Sequence, residues 1–137
     1  MKFKNVFLYV LLPIAVVFYS CQPDEVPVPT DERDVYVGSW TCAETSNSIG
    51  LNSFTVHIIK DAVIETNVQI ENFYNIGFQY KAKVAISGLN MSLAYQTVNS
   101  NQVHGSGTKT GNNSISLLYY VDDGTTVDTC TAVLTRQ

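Results

Sequence analysis

Phe78-Gln79-Tyr80-Lys81-Ala82-Lys83-Val84-Ala85-Ile86-Ser87 alternates apolar and polar side chains for ten residues. A period of two puts one set of side chains on each face of an extended strand, so this stretch reads as a strand with one dry and one wet face. Phe78, Tyr80, Ala82, Val84 and Ile86 form the dry set. The same period recurs on both sides. Ile115, Leu117, Tyr119 and Val121 alternate with Ser114, Ser116, Leu118 and Tyr120, and Phe54, Val56 and Ile58 alternate with Thr55, His57 and Ile59. Val68 and Ile70 share a side with Ile64, while Leu89, Met91, Leu93 and Tyr95 share another.

Turn-forming residues separate these runs at Asn47 to Asn52, Lys60-Asp61, Asn75-Ile76-Gly77, Gly88-Leu89-Asn90, Asn99-Ser100-Asn101, Gly111-Asn112-Asn113 and Asp122-Asp123-Gly124. The division yields eight strands, near 35–44, 53–60, 63–72, 78–87, 90–98, 102–109, 114–121 and 125–135. No segment after the N-terminus carries a sustained helical period with caps, so no helix is expected there. Short, regular connections argue an antiparallel meander, and pairing the first strand with the last removes both edges. The expected fold is therefore all-β, an eight-stranded antiparallel up-and-down barrel over residues 35–137.

The N-terminus reads differently. Lys2 and Lys4 precede an apolar run from Val6 to Phe18, too short for a comfortable membrane span but suited to a signal peptide. Phe18-Tyr19-Ser20-Cys21 resembles a bacterial lipobox, which implies cleavage after residue 20 and a diacylglycerol on the Cys21 thiol. Alternatives for the same residues are ordinary cleavage nearby or an uncleaved anchor. Residues 21–34 hold three prolines and five acids and read as an extended tether. At about 3.1 Å per residue it holds a domain roughly 40 Å from a bilayer. Asp24-Glu25 just after Cys21 resembles the export signal of Bacteroidetes surface lipoproteins, which implies an outer-membrane protein facing outward; a plain hydrophilic spacer has the same composition.

The 137 residues carry 8 basic and 12 acidic side chains, a net charge of −4. Loss of Lys2 and Lys4 with the leader leaves six bases against twelve acids, net −6. No basic patch survives for phosphate backbones, which argues against nucleic-acid binding.

Gly38-Ser39-Trp40 on the first strand, Val103-His104-Gly105-Ser106-Gly107 on the sixth and Asp128-Thr129-Cys130-Thr131-Ala132 on the last resemble the small lipocalin-like (calycin) lipoproteins of the Bacteroidetes type. The chain departs from true lipocalins in having no Thr-Asp-Tyr motif, C-terminal helix or long first loop. The resemblance implies that Arg136 packs across Trp40 in a cation–π contact. Cys42 and Cys130 fall on the inward parity of the first and last strands, and an exported chain meets oxidants, so a disulfide at the barrel seam is expected. These two expectations compete: Cys42 directly opposite Cys130 places Ala132, not Arg136, opposite Trp40.

Chemistry has few candidates. His57 and His104 fall on outward parities without acidic or cysteine partners at ligand spacing, so neither metal nor hydrolytic triad is expected. Glu65, Glu71 and Asp128 form no acid/base pair; Asp128 has inward parity beside Cys130 and is read as a rim residue, with a partly buried, hydrogen-bonded acid as the alternative. No cofactor and no enzymatic activity are expected. Gly105 and Gly107 share inward parity, which marks either a bend with room for a bulky ring or a ligand cavity. For a ligand, Trp40, Tyr80, Leu93, Tyr95, Gly105, Gly107 and Tyr119 form the lining, with tyrosine hydroxyls orienting a small hydrophobic or amphipathic molecule. The alternative is a filled barrel whose outer face or loops bind a glycan or a protein, protease inhibition included. An internal void of roughly 300 Å³ or more favours the luminal ligand, whereas a lumen packed to interior density leaves the surface module. Phe73 and Phe78, beside the turn at Tyr74-Asn75-Ile76-Gly77, are read as a plug for one barrel end; the alternative is an exposed aromatic at the mouth that stacks on a sugar or contacts a protein partner.

Overall fold

The computed structural model describes residues 30–137. The signal segment, Cys21 and the tether up to residue 29 lie outside the described residues. Eight strands run β1 Gly38–Ser46, β2 Gly50–Lys60, β3 Asn67–Glu71, β4 Lys81–Ser87, β5 Asn90–Val98, β6 Asn101–Gly111, β7 Ser114–Asp122 and β8 Val127–Arg136. Each pairs antiparallel with its neighbour in sequence, and β8 pairs with β1 to close the barrel. Closure leaves no edge strand, as the meander of eight short runs predicts.

The alternation in β4 survives in full: Ala82, Val84 and Ile86 are buried and the residues between them exposed. Inward side chains from every strand, among them Val56, Ile70, Leu93, Val103, Ile115 and Leu134, make one core. Each such aliphatic side chain contributes on the order of 1.5–3 kcal/mol through burial.

Two short 3-10 turns stand where no helix is expected. The first, Glu32–Val35, is capped by the Asp31 carboxylate, which accepts from Arg33 N at 2.9 Å. Arg33 donates onward to the carbonyls of Asp61 and Asn67, and Tyr36 OH donates to Gly88 O at 2.8 Å. Residues 31–34 therefore belong to the folded body rather than to an extended tether. This turn lies against the barrel end that holds Trp40. The second turn, Phe73–Asn75, sits at the opposite end and plugs it. Two strands are shorter than expected: β4 starts at Lys81, after a turn in which Tyr80 N donates to Gly77 O. β3 starts at Asn67, because Asp61 gathers the amides of Val63 and Ile64 and the Gln69 side chain into a polar turn. Ile64 is thereby turned outward, 43% exposed, instead of joining Val68 and Ile70.

Two further corrections concern register. Trp40 pairs with Arg136, Cys42 with Leu134 and Ser46 with Cys130. Cys42 and Cys130 thus lie four positions apart along the seam, about 13 Å at strand rise, beyond the reach of a disulfide. Both are free, buried thiols, so the expected seam disulfide gives way to the Trp40–Arg136 register. In β5, Leu93 pairs with Gly105 but Gln96 pairs with Val103, so β5 carries one extra residue. Such a bulge reverses the facing of the residues beyond it. Val98 is buried, and Tyr95, expected inside, is 75% exposed on the outer face. β4 and β5 pair only from Ala85–Ser87 to Asn90–Ser92. Beyond that the Gln96 amide closes the gap, accepting from Lys83 N at 2.8 Å and donating to Lys83 O at 2.7 Å.

Candidate functional site

The lumen is nearly full. Among the described residues the lumen holds voids of only about 10 Å³, two of them bordered by Ile70, Phe73, Leu117 and Tyr119. Each is the size of one water molecule, well below the volume of a small-molecule pocket, so the expected luminal calyx is overturned and any ligand seats outside the lumen. Of the residues expected to line a calyx, Leu93, Gly107 and Tyr119 border a void. Tyr80 lies half-buried at the core's edge, and Trp40 is sealed at the far end.

Gly105 and Gly107 serve close approach. A Cβ on Gly105 would sit 2.7 Å from Tyr119 Cα and nearer still to the Leu118 carbonyl oxygen. One on Gly107 would meet the Leu117 side chain and lie 2.8 Å from Ser116 O. β6 and β7 therefore press together, and the space that the glycines leave is taken by Tyr119 and Leu117. Phe73 fills the plug end against Tyr119, with ring centroids 4.6 Å apart. Phe78 takes no part in the plug: it is 44% exposed and packs on His57.

Beneath the plug lie two buried acids. Asp128, read from sequence as a rim residue, is buried and accepts from Tyr74 OH at 2.7 Å, Ser48 N at 3.0 Å and Ser46 Oγ. Burial alone raises its pKa, but the donors from Ser46, Tyr74 and Ser48 outweigh it and hold the carboxyl at about 2. Glu44, also buried, accepts from Tyr119 OH through Oε2. Its Oε1 has no partner. Burial first, and the Asp128 charge second, push the Glu44 carboxyl up to about 7. Burial likewise pushes the Cys42 thiol up to about 12 and raises Cys130. Glu44 was visible in the sequence, since it shares parity with Trp40 and Cys42.

The Trp40 end is cationic. Trp40 is fully buried and its Nε1 donates to Tyr36 O at 2.8 Å. Arg136 lies over the indole with Cζ 4.3 Å from the ring centroid, and its guanidinium donates to Val35 O and Val37 O. The cation–π contact implied by the calycin resemblance is present. Beside it Lys109, on the inward parity of Val103, Gly105 and Gly107, is only 6% exposed. Its ammonium donates to the carbonyls of Gly111 and Asn112. Burial first, then the Arg136 charge, lower its pKa. Two backbone bonds assemble this corner: Lys109 N to Leu89 O, and Arg136 N to Asn113 O. The result is a cleft of about 520 Å³ lined by Val35, Leu89, Lys109, Thr110, Gly111, Asn112 and Arg136.

The histidines stay outside. His57 lies 3.5 Å from Glu71 across the β2–β3 pair, and His104 is stacked between Tyr95 at 3.9 Å and Tyr120 at 4.9 Å. Among the described residues no group of three or more His, Cys, Asp or Glu side chains gathers to hold a metal.

No protein-family model matches the chain, and no curated protein matches it. Solved structures do. A redesigned β-barrel, b11L5F_LGL, superposes with a TM-score of 0.56 at 17% identity, covering 80% of this chain and 97% of that one. EF1p2_mFAP2b, bound to DFHBI, superposes with a TM-score of 0.54 at 13% identity, covering 79% of this chain and 100% of that one. At these identities the likeness is one of fold, a closed eight-stranded antiparallel barrel.

Proposed function

We propose that this chain is a lipid-anchored lipoprotein of the outer membrane, facing the cell exterior, whose barrel binds a small hydrophobic or amphipathic ligand without catalysing a reaction. The ligand seats in the cleft at the Trp40 end. One observation carries this reading: that cleft measures about 520 Å³, whereas the lumen retains two voids of about 10 Å³. The first volume falls within the range of small-molecule sites and the second does not. The neighbour bound to DFHBI supports the view that a barrel of this shape accepts a small molecule. Trp40 is the single tryptophan and lies under Arg136, so its emission reports on the cleft. Titration with a panel of short amphiphiles is expected to shift that emission saturably; silence across the panel contradicts the reading. Anchoring is tested by metabolic labelling with a fatty-acid analogue, which Cys21→Ala abolishes if the thiol carries the lipid.

A second reading has its own support. Tyr95, His104 and Tyr120 form a three-ring stack across β5, β6 and β7 on the outer face, with Tyr95 mostly exposed. Such a stack suits a surface module that holds a glycan or a protein. Retention on immobilised glycans or on captured surface protein, lost in Tyr95→Ala without a change in melting temperature, supports this module; retention unchanged by the substitution counts against it.

A further inference from the structure

The distribution of charge around the barrel is uneven. Among the described residues, Arg33 pairs with Asp31, Lys60 with Asp31 and Asp34, and Lys81 with Glu71. Lys83, Lys109 and Arg136 have no carboxylate of the described residues within 4.0 Å, although the chain as a whole is acidic; Lys83 is exposed on β4, whereas Lys109 is buried. A lysine nine-tenths buried beside a second cation, with only carbonyls as partners, carries an uncompensated positive charge. Its protein partners satisfy two of its three N–H donors, and two of the five on Arg136 go to Val35 O and Val37 O. Donors therefore remain on both. On the flanks of the same cleft, Val35 is 46% and Leu89 59% exposed.

We infer that this cleft recognises an amphipathic anion: a single-chain carboxylate or phosphate ester whose head lies between Lys109 and Arg136 and whose hydrocarbon covers Val35 and Leu89. The inference rests on the small-ligand reading above and adds to it the charge class of the ligand. An anionic head supplies the opposite charge that the protein withholds, and charge-assisted bonds to a guanidinium and an ammonium are the strong ones. The apolar flanks select against a bare inorganic ion, since only a chain removes them from water. The same head chemistry is offered by a free amphiphile and by an anionic lipid of the bilayer to which the tether leads.

The test uses the full chain in phosphatidylcholine nanodiscs and calorimetric titration with hexyl phosphate, hexylammonium, hexan-1-ol and inorganic phosphate. Hexyl phosphate is expected to bind at least about tenfold more tightly than hexylammonium or hexan-1-ol. Lys109→Gln is expected to lower that affinity about tenfold or more. Leu89→Ser, a change at an exposed position, weakens hexyl phosphate about threefold and leaves inorganic phosphate unaffected. Equal binding of the three hexyl compounds overturns the anionic class while leaving the small-ligand reading in place. No binding of any of them overturns both. Nanodiscs that also contain phosphatidylglycerol distinguish the sources: competition with hexyl phosphate identifies a bilayer headgroup as the occupant, and its absence identifies a free amphiphile.

Discussion

Arg136 lies face-on to Trp40, its Cζ 4.3 Å from the ring centroid, because β8 pairs with β1 in the register that sets these two residues opposite each other. The contact does more than cover an indole. The guanidinium ties the carbonyls of Val35 and Val37, so the chain entering the barrel and the strand leaving it are fastened at one point. Arg136→Ala removes the cation–π attraction and both hydrogen bonds to the carbonyls of Val35 and Val37. It is expected to lower the unfolding free energy by about 2 kcal/mol. Arg136→Lys recovers only part, since an ammonium cannot lie flat on the ring. Urea unfolding followed by Trp40 emission measures both.

The same register keeps the cysteines apart. A reducing agent is expected to leave the melting temperature unchanged. Cys42 and Cys130, buried and with thiols pushed upward by that burial, should alkylate only after unfolding. A mass lower by two hydrogen atoms per chain under non-reducing conditions, restored by the reductant, contradicts the register.

Stability is expected to depend on pH through the two buried acids. Between its ordinary value of 4.5 and about 7, folded Glu44 keeps a proton that the unfolded chain has lost. Stability therefore falls as pH rises through that window and levels off above it. Asp128 acts in the opposite sense: held at about 2 against an ordinary 3.8, it adds stability above 3.8 that disappears as pH falls towards 2. The maximum lies near pH 4 to 5. Glu44→Gln flattens the fall between pH 5 and 8, and denaturant midpoints at those two values check it.

The glycines of β6 supply a packing test. Gly105→Ala forces a methyl group onto the Leu118 carbonyl and the Tyr119 backbone, and is expected to cost about 3 kcal/mol. Gly111→Ala meets nothing within 4 Å and serves as the control, changing stability by less than about 0.5 kcal/mol. Thermal melts of the two variants check the difference.

The eight strands and their closure were legible because β4 and β7 alternate cleanly and turn residues punctuate the rest. What the period of two does not encode is a single inserted residue. The bulge between Leu93 and Gln96 turned Tyr95 outward, and no glycine or proline marks it. Nor does parity fix register. Cys42, Cys130, Trp40 and Arg136 all face inward in any even offset, so the seam admitted a disulfide or a cation–π contact, and only the paired strands decide between them. Glu44 and Lys109 were legible by parity too, yet charged residues at inward positions are rare enough that the eye passes over them. The cleft itself was not readable, because Leu89, Lys109 and Arg136 come from three separate turns and strand ends.

The most direct measurement is a map of amide shifts in the nuclear magnetic resonance spectrum as hexyl phosphate is added to the labelled full chain. The account predicts that shifts cluster at Val35, Leu89, Lys109 to Asn112 and Arg136. Shifts centred instead on Ile70, Leu93, Gly107 and Tyr119 would place the ligand inside the barrel and contradict it.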